Sequence, residues 1–272
     1  MIEKLPVVLS QDRAGRPEHE HLEKEILAGL EGRHDLKVTV LPHLYDLSQD
    51  GPGVQFLRSV EDDMVILTWL YPRSAFWVLD ANGIHGSLGP TFSLTEEIDA
   101  AAAVGKRTMW CLDLRNESRA EPYLKEIDRI ASLLVEPAAV ASRAANGKPQ
   151  FVEEAAEPRW YPVVDYSRCG GCLECLDFCH FGVFAAGEGG RPVVEHPDAC
   201  RPGCPACSRI CPQGAIMFPH HGDPAIAGDP ELSLKNLKLD LSRLSQAADP
   251  RRIAESERKR AQEQGWDPTG SS

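Results

Sequence analysis

Eight of the nine cysteines lie between residues 169 and 211, and they form the part of this 272-residue sequence best suited to chemistry. The first run, "CGGCLECLDFC", separates its four cysteines by two, two and three residues. The second run, "CRPGCPACSRIC", separates its four by three, two and three residues. Thiols placed this densely in a reducing compartment are typical of metal ligation and not of disulfides. The sequence therefore predicts a metal-binding segment.

The two cysteine runs form an internal repeat. Cys172, Cys175 and Cys179 recur at a constant offset in the second run, and Gly182 likewise recurs as Gly214. The matching residues of the second run are Cys204, Cys207 and Cys211, and Cys169 is matched by Cys200. Strand-like segments precede both runs. The repeat predicts two similar halves, each with its own set of thiols.

The spacing within each run favours an iron–sulfur cluster over zinc. A cubane of four irons needs four soft thiolate ligands around a compact body. Three closely spaced cysteines can curl around one face, whereas the fourth follows after three residues and points away. Paired Cys-x2-Cys segments also bind zinc tetrahedrally, and a disulfide framework is a further alternative. Two long matching runs favour iron.

The cysteine segment resembles a bacterial-type ferredoxin domain with two [4Fe-4S] clusters, over about 60 residues of the chain. In that family the fourth cysteine of each run ligates the cluster of the other run. The resemblance implies that the first cluster is held by Cys169, Cys172, Cys175 and Cys211. It implies that the second cluster is held by Cys200, Cys204, Cys207 and Cys179. The extra residue between Cys200 and Cys204 departs from the family spacing.

His180 stands where the family pattern has a proline, as Pro212 does after Cys211. One interpretation is that the turn accepts either residue. The other is that the imidazole lies near the second cluster, to which Cys179 belongs, and tunes its reduction potential from the second ligand shell. The remaining cysteine, Cys111, lies in an apolar strand segment and is predicted to be a buried structural residue.

Residues 1–136 are predicted to form an α/β domain, with a mostly parallel sheet and flanking helices. Nearly continuous apolar segments alternate with helical patterns. The predicted strands are Leu5 to Ser10, Leu36 to Leu41, Asp63 to Leu70 and Arg107 to Leu114. The predicted helices follow the first strand up to Gly32 and cover Arg73 to Asp80, Leu94 to Val104 and Pro122 to Leu134.

Three further segments follow. Residues 137–158 are rich in Ala, Pro, Gly and charged side chains and are predicted to be a linker. Residues 159–221 are predicted to form the α+β ferredoxin-type domain. Residues 222–272 are predicted to be a helical, partly disordered tail, with an amphipathic helix around Leu234 to Leu244. For the pair His220 and His221, an exposed loop is favoured over a metal site.

The first domain carries no standard nucleotide motif. Its opening is similar in layout to chelatase-like α/β domains of tetrapyrrole metabolism, but "SQD" stands where their metal-holding histidine would be. The glycine-rich segment Asp80 to Pro90 follows a helix and not a strand, so it lacks the context of a dinucleotide-binding turn. A turn-rich connection is favoured there over a phosphate or flavin site.

Composition restricts the class of partner. The formal net charge is -12, and no basic stripe is present, so a nucleic-acid partner is not expected. The apolar runs are too short to span a bilayer, and the first residues do not read as a signal peptide. A cytoplasmic protein is expected.

Three functions are compatible with these patterns. The first is an electron carrier without catalytic residues of its own, which exchanges electrons with a redox protein or a larger oxidoreductase. The second is an oxidoreductase whose α/β domain binds a small molecule, flavin or tetrapyrrole that the clusters reduce. The third is a binding module in which the clusters are structural supports. We favour the electron carrier.

Overall fold

The structure is a computed structural model that describes residues 2–92, 107–135, 147–155 and 157–230. The predicted helix Leu94 to Val104 lies outside the described residues, as does the tail beyond residue 230. The described residues all belong to one unit, Met1–Asn236.

Six strands form a single sheet in which every neighbouring pair is parallel. The strands are β1 (Leu5–Ser10), β2 (Leu36–Leu41), β3 (Met64–Thr68), β4 (Ser87–Leu88), β5 (Thr108–Asp113) and β6 (Gln150–Phe151), in the spatial order β4-β5-β3-β1-β2-β6. The predicted parallel sheet with flanking helices is confirmed. Because β2 and β3 lie on opposite sides of β1, the strand order reverses there, and such a reversal leaves a crevice at the carboxyl ends of the strands.

Both faces of the sheet are covered, as continuous apolar strands require. The helices are α1 (Pro17–Leu30), α2 (Pro52–Ser59), α3 (Pro72–Ala81) and α4 (Ala120–Leu134). Side chains of α1 and α4 share one core with alternate residues of the strands. The other core contains α2, α3 and three residues from the cysteine-rich part, namely Tyr161, Val163 and Met217. The cysteine-rich part therefore helps to cover the second face of the sheet.

The sequence pattern does not predict three elements, namely α2, β4 and β6. Helix α2 has only eight residues and begins Pro-Gly, so its apolar periodicity is short. Strands β4 and β6 have two residues each, too few to show alternation. The segment Asp80 to Pro90 thus contains an edge strand, and the predicted linker 137–158 contributes β6, which pairs with β2.

The cysteine-rich part consists of short elements that follow the sequence repeat. They are β7 (Val163–Val164), α5 (Glu174–Phe178), β8 (Phe184–Ala186), β9 (Pro192–Val194), α6 (Ala206–Ile210), β10 (Ile216–Met217) and, after the repeat, α7 (Pro224–Ala227). Helices α5 and α6 occupy equivalent positions in the two halves. The matched glycines Gly182 and Gly214 both have left-handed backbones, with φ of 67° and 60°. The repeat is therefore structural as well as sequential.

The two halves exchange strands. The strand before the first cysteine run, β7, pairs antiparallel with β10, which follows the second run. The strand before the second run, β9, pairs antiparallel with β8, which follows the first run. Because each hairpin-like pair takes one strand from each half, the two cysteine loops are held side by side.

Candidate metal centre

Each cysteine run is a loop that leads into a five-residue helix and ends just after it. Cys175 lies in α5 and Cys207 lies in α6, and both are buried. The fourth cysteine of each run, Cys179 or Cys211, is the C-cap of its helix and has extended backbone angles. The chain therefore leaves the helix direction at that residue, which carries the fourth thiol away from the loop preceding the helix.

One cavity collects thiols from both runs. It has a volume of about 80 Å³ and is lined mainly by apolar side chains, among them Phe178, Phe181 and Val183. Its sulfur-bearing residues are Cys179, Cys200, Cys204 and Cys207. The structure thus brings the last cysteine of the first run together with three of the second.

The remaining thiols form a second group. The charges of Cys211, Cys169 and Cys172 act on the Cys175 thiol and help to raise its pKa, so these four thiols lie close together. The backbone N–H of Ala215 donates to Cys211 Sγ at 3.3 Å, which fixes the position of that sulfur. The two groups adjoin, since Cys175 is also among the neighbours of Cys207. Cys111 lies apart from both groups in β5 and is fully buried, as predicted.

The donor set fits iron–sulfur clusters chemically. All nine cysteines are free thiols, and eight of them fall into the two groups of four. Burial raises the pKa of the Cys175 and Cys200 thiols to about 12 and that of Cys207 still further, so they are protonated when no metal is bound. A soft cation that binds thiolates would replace these protons. The role of each cysteine as a ligand stays a prediction.

His180 lines the same cavity as Cys179, Cys200, Cys204 and Cys207. Its side chain is exposed, and its ring centroid lies 6.4 Å from that of Phe178. The imidazole is thus adjacent to the thiols of the proposed second cluster, although it follows the first run in sequence.

A buried ion pair supports the site and was not predicted. Arg73 of α3 donates from Nε to Asp165 Oδ2 at 2.5 Å and from Nη2 to the carbonyl oxygen of Gly214 at 2.9 Å. Asp165 Oδ1 also accepts from the backbone N–H of Ser167 at 2.9 Å. One side chain of the α/β part thereby holds the segments next to both cysteine runs. An arginine within a largely apolar helix is the signal that could have indicated this role.

Aromatic residues form a second connection between the two parts. The hydroxyl of Tyr45 accepts from the backbone N–H of Tyr161 at 2.7 Å and donates to the carbonyl oxygen of the same residue. The rings of Tyr45 and Tyr161 stack at 4.3 Å. The neighbouring Trp160 donates from Nε1 to the carbonyl oxygen of Cys204 at 3.2 Å. The segment before the first cysteine run is therefore anchored on both sides.

His220 and His221 lie in a loop, as predicted, but the loop is less exposed than predicted. Both residues are only partly exposed. The ring of His220 packs against those of His43 and Tyr45, at centroid distances of 4.4 Å and 5.4 Å. The strand pair of β7 and β10 brings the chain after β10 against the α/β part, a contact that local polarity does not reveal.

No helix among the described residues is long and apolar enough to cross a membrane.

Comparison with known proteins finds ferredoxins and an oxidoreductase subunit. The chain is 44% identical over 77 residues to an uncharacterized ferredoxin of Methanocaldococcus jannaschii, covering 26% of this chain and 52% of that protein. It is 33% identical over 73 residues to Ferredoxin-3 of Nostoc sp., covering 21% of this chain and 74% of that protein.

A third relative is the indolepyruvate oxidoreductase subunit IorA of Methanothermobacter thermautotrophicus. The identity is 27% over 132 residues, which cover 48% of this chain and 19% of the subunit. The chain thus spans about half of the Methanocaldococcus protein and about a fifth of the subunit. No family model matches the chain.

Proposed function

Since the chain belongs to the ferredoxin family through its cysteine-rich part, we propose that it carries two [4Fe-4S] clusters and exchanges single electrons with a partner oxidoreductase. In this proposal the first cluster is held by Cys169, Cys172, Cys175 and Cys211. The second is held by Cys200, Cys204, Cys207 and Cys179. Residues 159–221 act as the cluster domain, and residues 1–136 act as an α/β domain attached to it.

The observation that carries the proposal is the cavity in which Cys179 joins three cysteines of the other run. Four thiols from one continuous run would be compatible with a zinc site, whereas an exchange of the fourth cysteine between runs is the arrangement of two-cluster ferredoxins. The strand pairs β7–β10 and β8–β9 each join one half of the repeat to the other, which would bring Cys179 close to the second run. The apolar lining would keep water from the cluster and influence its reduction potential.

A protein partner is part of the proposal. The similarity to an oxidoreductase subunit supports a role within, or beside, a redox complex. The net charge of -12 would favour encounter with a basic patch on that partner.

Metal analysis and reduction test this function. Protein purified without oxygen should contain about eight iron and about eight sulfide per chain, as two cubanes require. Dithionite should bleach the visible absorption reversibly and produce the EPR signal of two interacting reduced clusters. Zinc in place of iron would contradict the cluster assignment. Clusters that dithionite does not reduce would instead favour the structural role.

A second function is favoured by a separate cavity of about 730 Å³. It lies beside the carboxyl ends of β1 and β2 and is lined by Gln11, Asp12, Pro42 and His43, among others. Crevices in this position commonly bind ligands in α/β proteins. An oxidoreductase would bind a small molecule, flavin or tetrapyrrole there and reduce it through the clusters. Absorption of the isolated protein beyond the cluster bands would support this function.

A further inference from the structure

Three side chains that are distant in sequence converge where the end of β2 meets the chain after β10. Nε2 of His220 lies 3.3 Å from Nδ1 of His43, and Oδ2 of Asp46 lies 3.7 Å from the same Nδ1. One ligand atom from each of the three lies within 4.8 Å of the other two. His43 and Asp46 are buried, and His220 is partly buried. None of the three takes part in the proposed electron-transfer function.

These separations approach those of ligand atoms around one metal ion. Zinc binds imidazole nitrogen and carboxylate oxygen at about 2.0–2.1 Å, so adjacent atoms of a tetrahedral site are about 3.3 Å apart. The distance between the two imidazole nitrogens has this value. The carboxylate oxygen would have to approach His43 by a few tenths of an ångström.

The carboxylate of Asp46 has an acceptor position available. Its Oδ1 accepts from Arg13 Nη2 and from the backbone N–H of Arg159, and its Oδ2 accepts from Arg13 Nε at 2.6 Å. A carboxylate offers about four acceptor positions, so one remains on Oδ2, the oxygen nearest to His43. Arg13 also holds the carboxylate in place, which pre-organises it as a ligand.

The cavity beside the site has an excess of acidic residues, whereas the guanidinium of Arg13 on Asp46 opposes a cation there. His43 and Asp46 line the 730 Å³ cavity at the carboxyl ends of the strands. The cavity is also lined by two cationic residues, Arg13 and Lys24. Its acidic residues outnumber them and are Asp12, Glu20, Glu23, Asp46 and Glu154. An acidic, concave entrance raises the local concentration of divalent cations.

Nδ1 of His43 already accepts a hydrogen bond from the backbone N–H of Tyr45 at 3.3 Å, at the start of the short helical turn Leu44–Asp46. A metal ion bound to this nitrogen would replace that hydrogen bond.

We propose that His43, Asp46 and His220 bind one divalent first-row transition-metal ion. Two imidazoles and one carboxylate suit zinc and its neighbours better than magnesium or calcium, which prefer oxygen ligands alone. Three protein ligands leave a coordination position for water or for a ligand that enters from the cavity. The ion would also link β2 of the sheet to the chain that follows the second cysteine run. No cysteine takes part, so this site is distinct from the clusters.

Zinc binding to the cluster-loaded full chain tests the proposal. The protein is treated with EDTA, equilibrated with Zn²⁺ and freed of unbound metal, and zinc and iron per chain are then measured. The test variant is His220→Phe, which keeps an aromatic ring against Tyr45. The control variant is His221→Asn, whose amide oxygen can still accept the hydrogen bond that Asp223 N–H donates to His221 Nδ1. Iron content and visible absorption show whether each variant is folded.

The wild-type chain and the control should each hold about one zinc, and His220→Phe should bind it at least tenfold more weakly with its iron unchanged. X-ray absorption at the zinc edge provides a measurement that needs no variant. Nitrogen and oxygen neighbours at about 2.0–2.1 Å are expected, whereas zinc bound to cysteine would show sulfur at about 2.3 Å. The proposal is overturned if the wild type takes up no zinc, if its zinc has only sulfur neighbours, or if His220→Phe retains wild-type affinity.

Discussion

The guanidinium of Arg73 and the carboxylate of Asp165 form an ion pair at 2.5 Å whose side chains are only 2% and 0% exposed. Arg73 lies in α3, which covers one face of the sheet, whereas Asp165 lies between β7 and the first cysteine run. Because Arg73 also donates to the carbonyl oxygen of Gly214, the pair positions both cysteine runs relative to the sheet. This contact makes the α/β part a support for the metal centre.

Replacing Arg73 by methionine should destabilise the protein and reduce its iron content. The substitution leaves the Asp165 carboxylate buried without its nearer, buried cation, and breaking a buried pair costs about 3–5 kcal/mol. Thermal unfolding followed by far-UV circular dichroism, with iron analysis of the same samples, measures both effects. The control is Arg168→Ala, because Arg168 lies 3.7 Å from the same carboxylate but is 41% exposed. Its loss should cost less than about 1 kcal/mol. Equal effects of the two substitutions would show that burial of the pair is unimportant.

Tyr45→Phe should weaken the contact between the sheet and the cysteine-rich part. The lost hydroxyl leaves the backbone N–H of Tyr161 buried without its acceptor, at a cost of about 1–3 kcal/mol. Tyr161→Phe serves as the comparison, since its hydroxyl donates to the carbonyl oxygen of Tyr45 at the longer distance of 3.1 Å. The midpoint of thermal unfolding should fall further for Tyr45→Phe. A larger fall of the unfolding midpoint for Tyr161→Phe than for Tyr45→Phe would contradict this prediction.

Cys179→Ala and Cys204→Ala should remove the same cluster although they lie in different runs. Each variant should retain about half of the iron, and their residual EPR spectra should be identical. Cys175→Ala should leave the other cluster and hence a different spectrum. Cys111→Ala is the control and should retain all the iron, because Cys111 lies in β5 away from both groups. If Cys179→Ala matched Cys175→Ala, each run would hold its own cluster.

His180→Pro should shift one reduction potential and leave the other unchanged. The imidazole lines the cavity of the second thiol group, so a proline removes a polar ring near that cluster only. Potentiometric titration followed by EPR resolves the two midpoints. His196→Ala is a suitable control, since His196 is 66% exposed and does not line that cavity. Two unchanged midpoints for His180→Pro would mean that the residue serves the turn alone.

Cluster loading should release protons and become stronger as the pH rises from neutrality. Burial raises the pKa of the Cys175 and Cys200 thiols to about 12, so these groups are protonated in the metal-free protein at neutral pH. Thiolates are the ligands, hence binding must displace those protons. Proton release during anaerobic reconstitution can be followed in weakly buffered solution. Loading that is independent of pH would show that the thiols are already ionised.

The sequence by itself determined the elements that depend on local pattern. Strands β1 and β2 have the predicted boundaries, since Lys4 and Gln11 flank the first segment and Asp35 and Pro42 flank the second. Strands β3 and β5 are slightly shorter than predicted, and at their carboxyl ends the apolar residues Trp69, Leu70 and Leu114 continue beyond the strands. The cysteine repeat likewise appears in the structure as equivalent helices, α5 and α6, and equivalent glycines. Spacing sufficed in these cases because the signal is contained within a few residues.

Only the tertiary structure decided which distant residues meet. His43 and His220 are 177 residues apart, and Arg73 and Asp165 are 92 apart, so no local periodicity relates them. Their encounters depend on the pairing of β7 with β10 and on the packing of this pair against α3, which are long-range contacts. Short strands and buried polar pairs carry little local signal, since their stability comes from the partner they contact. The thiols could be recognised from the sequence, whereas the side chains that hold them in place could not.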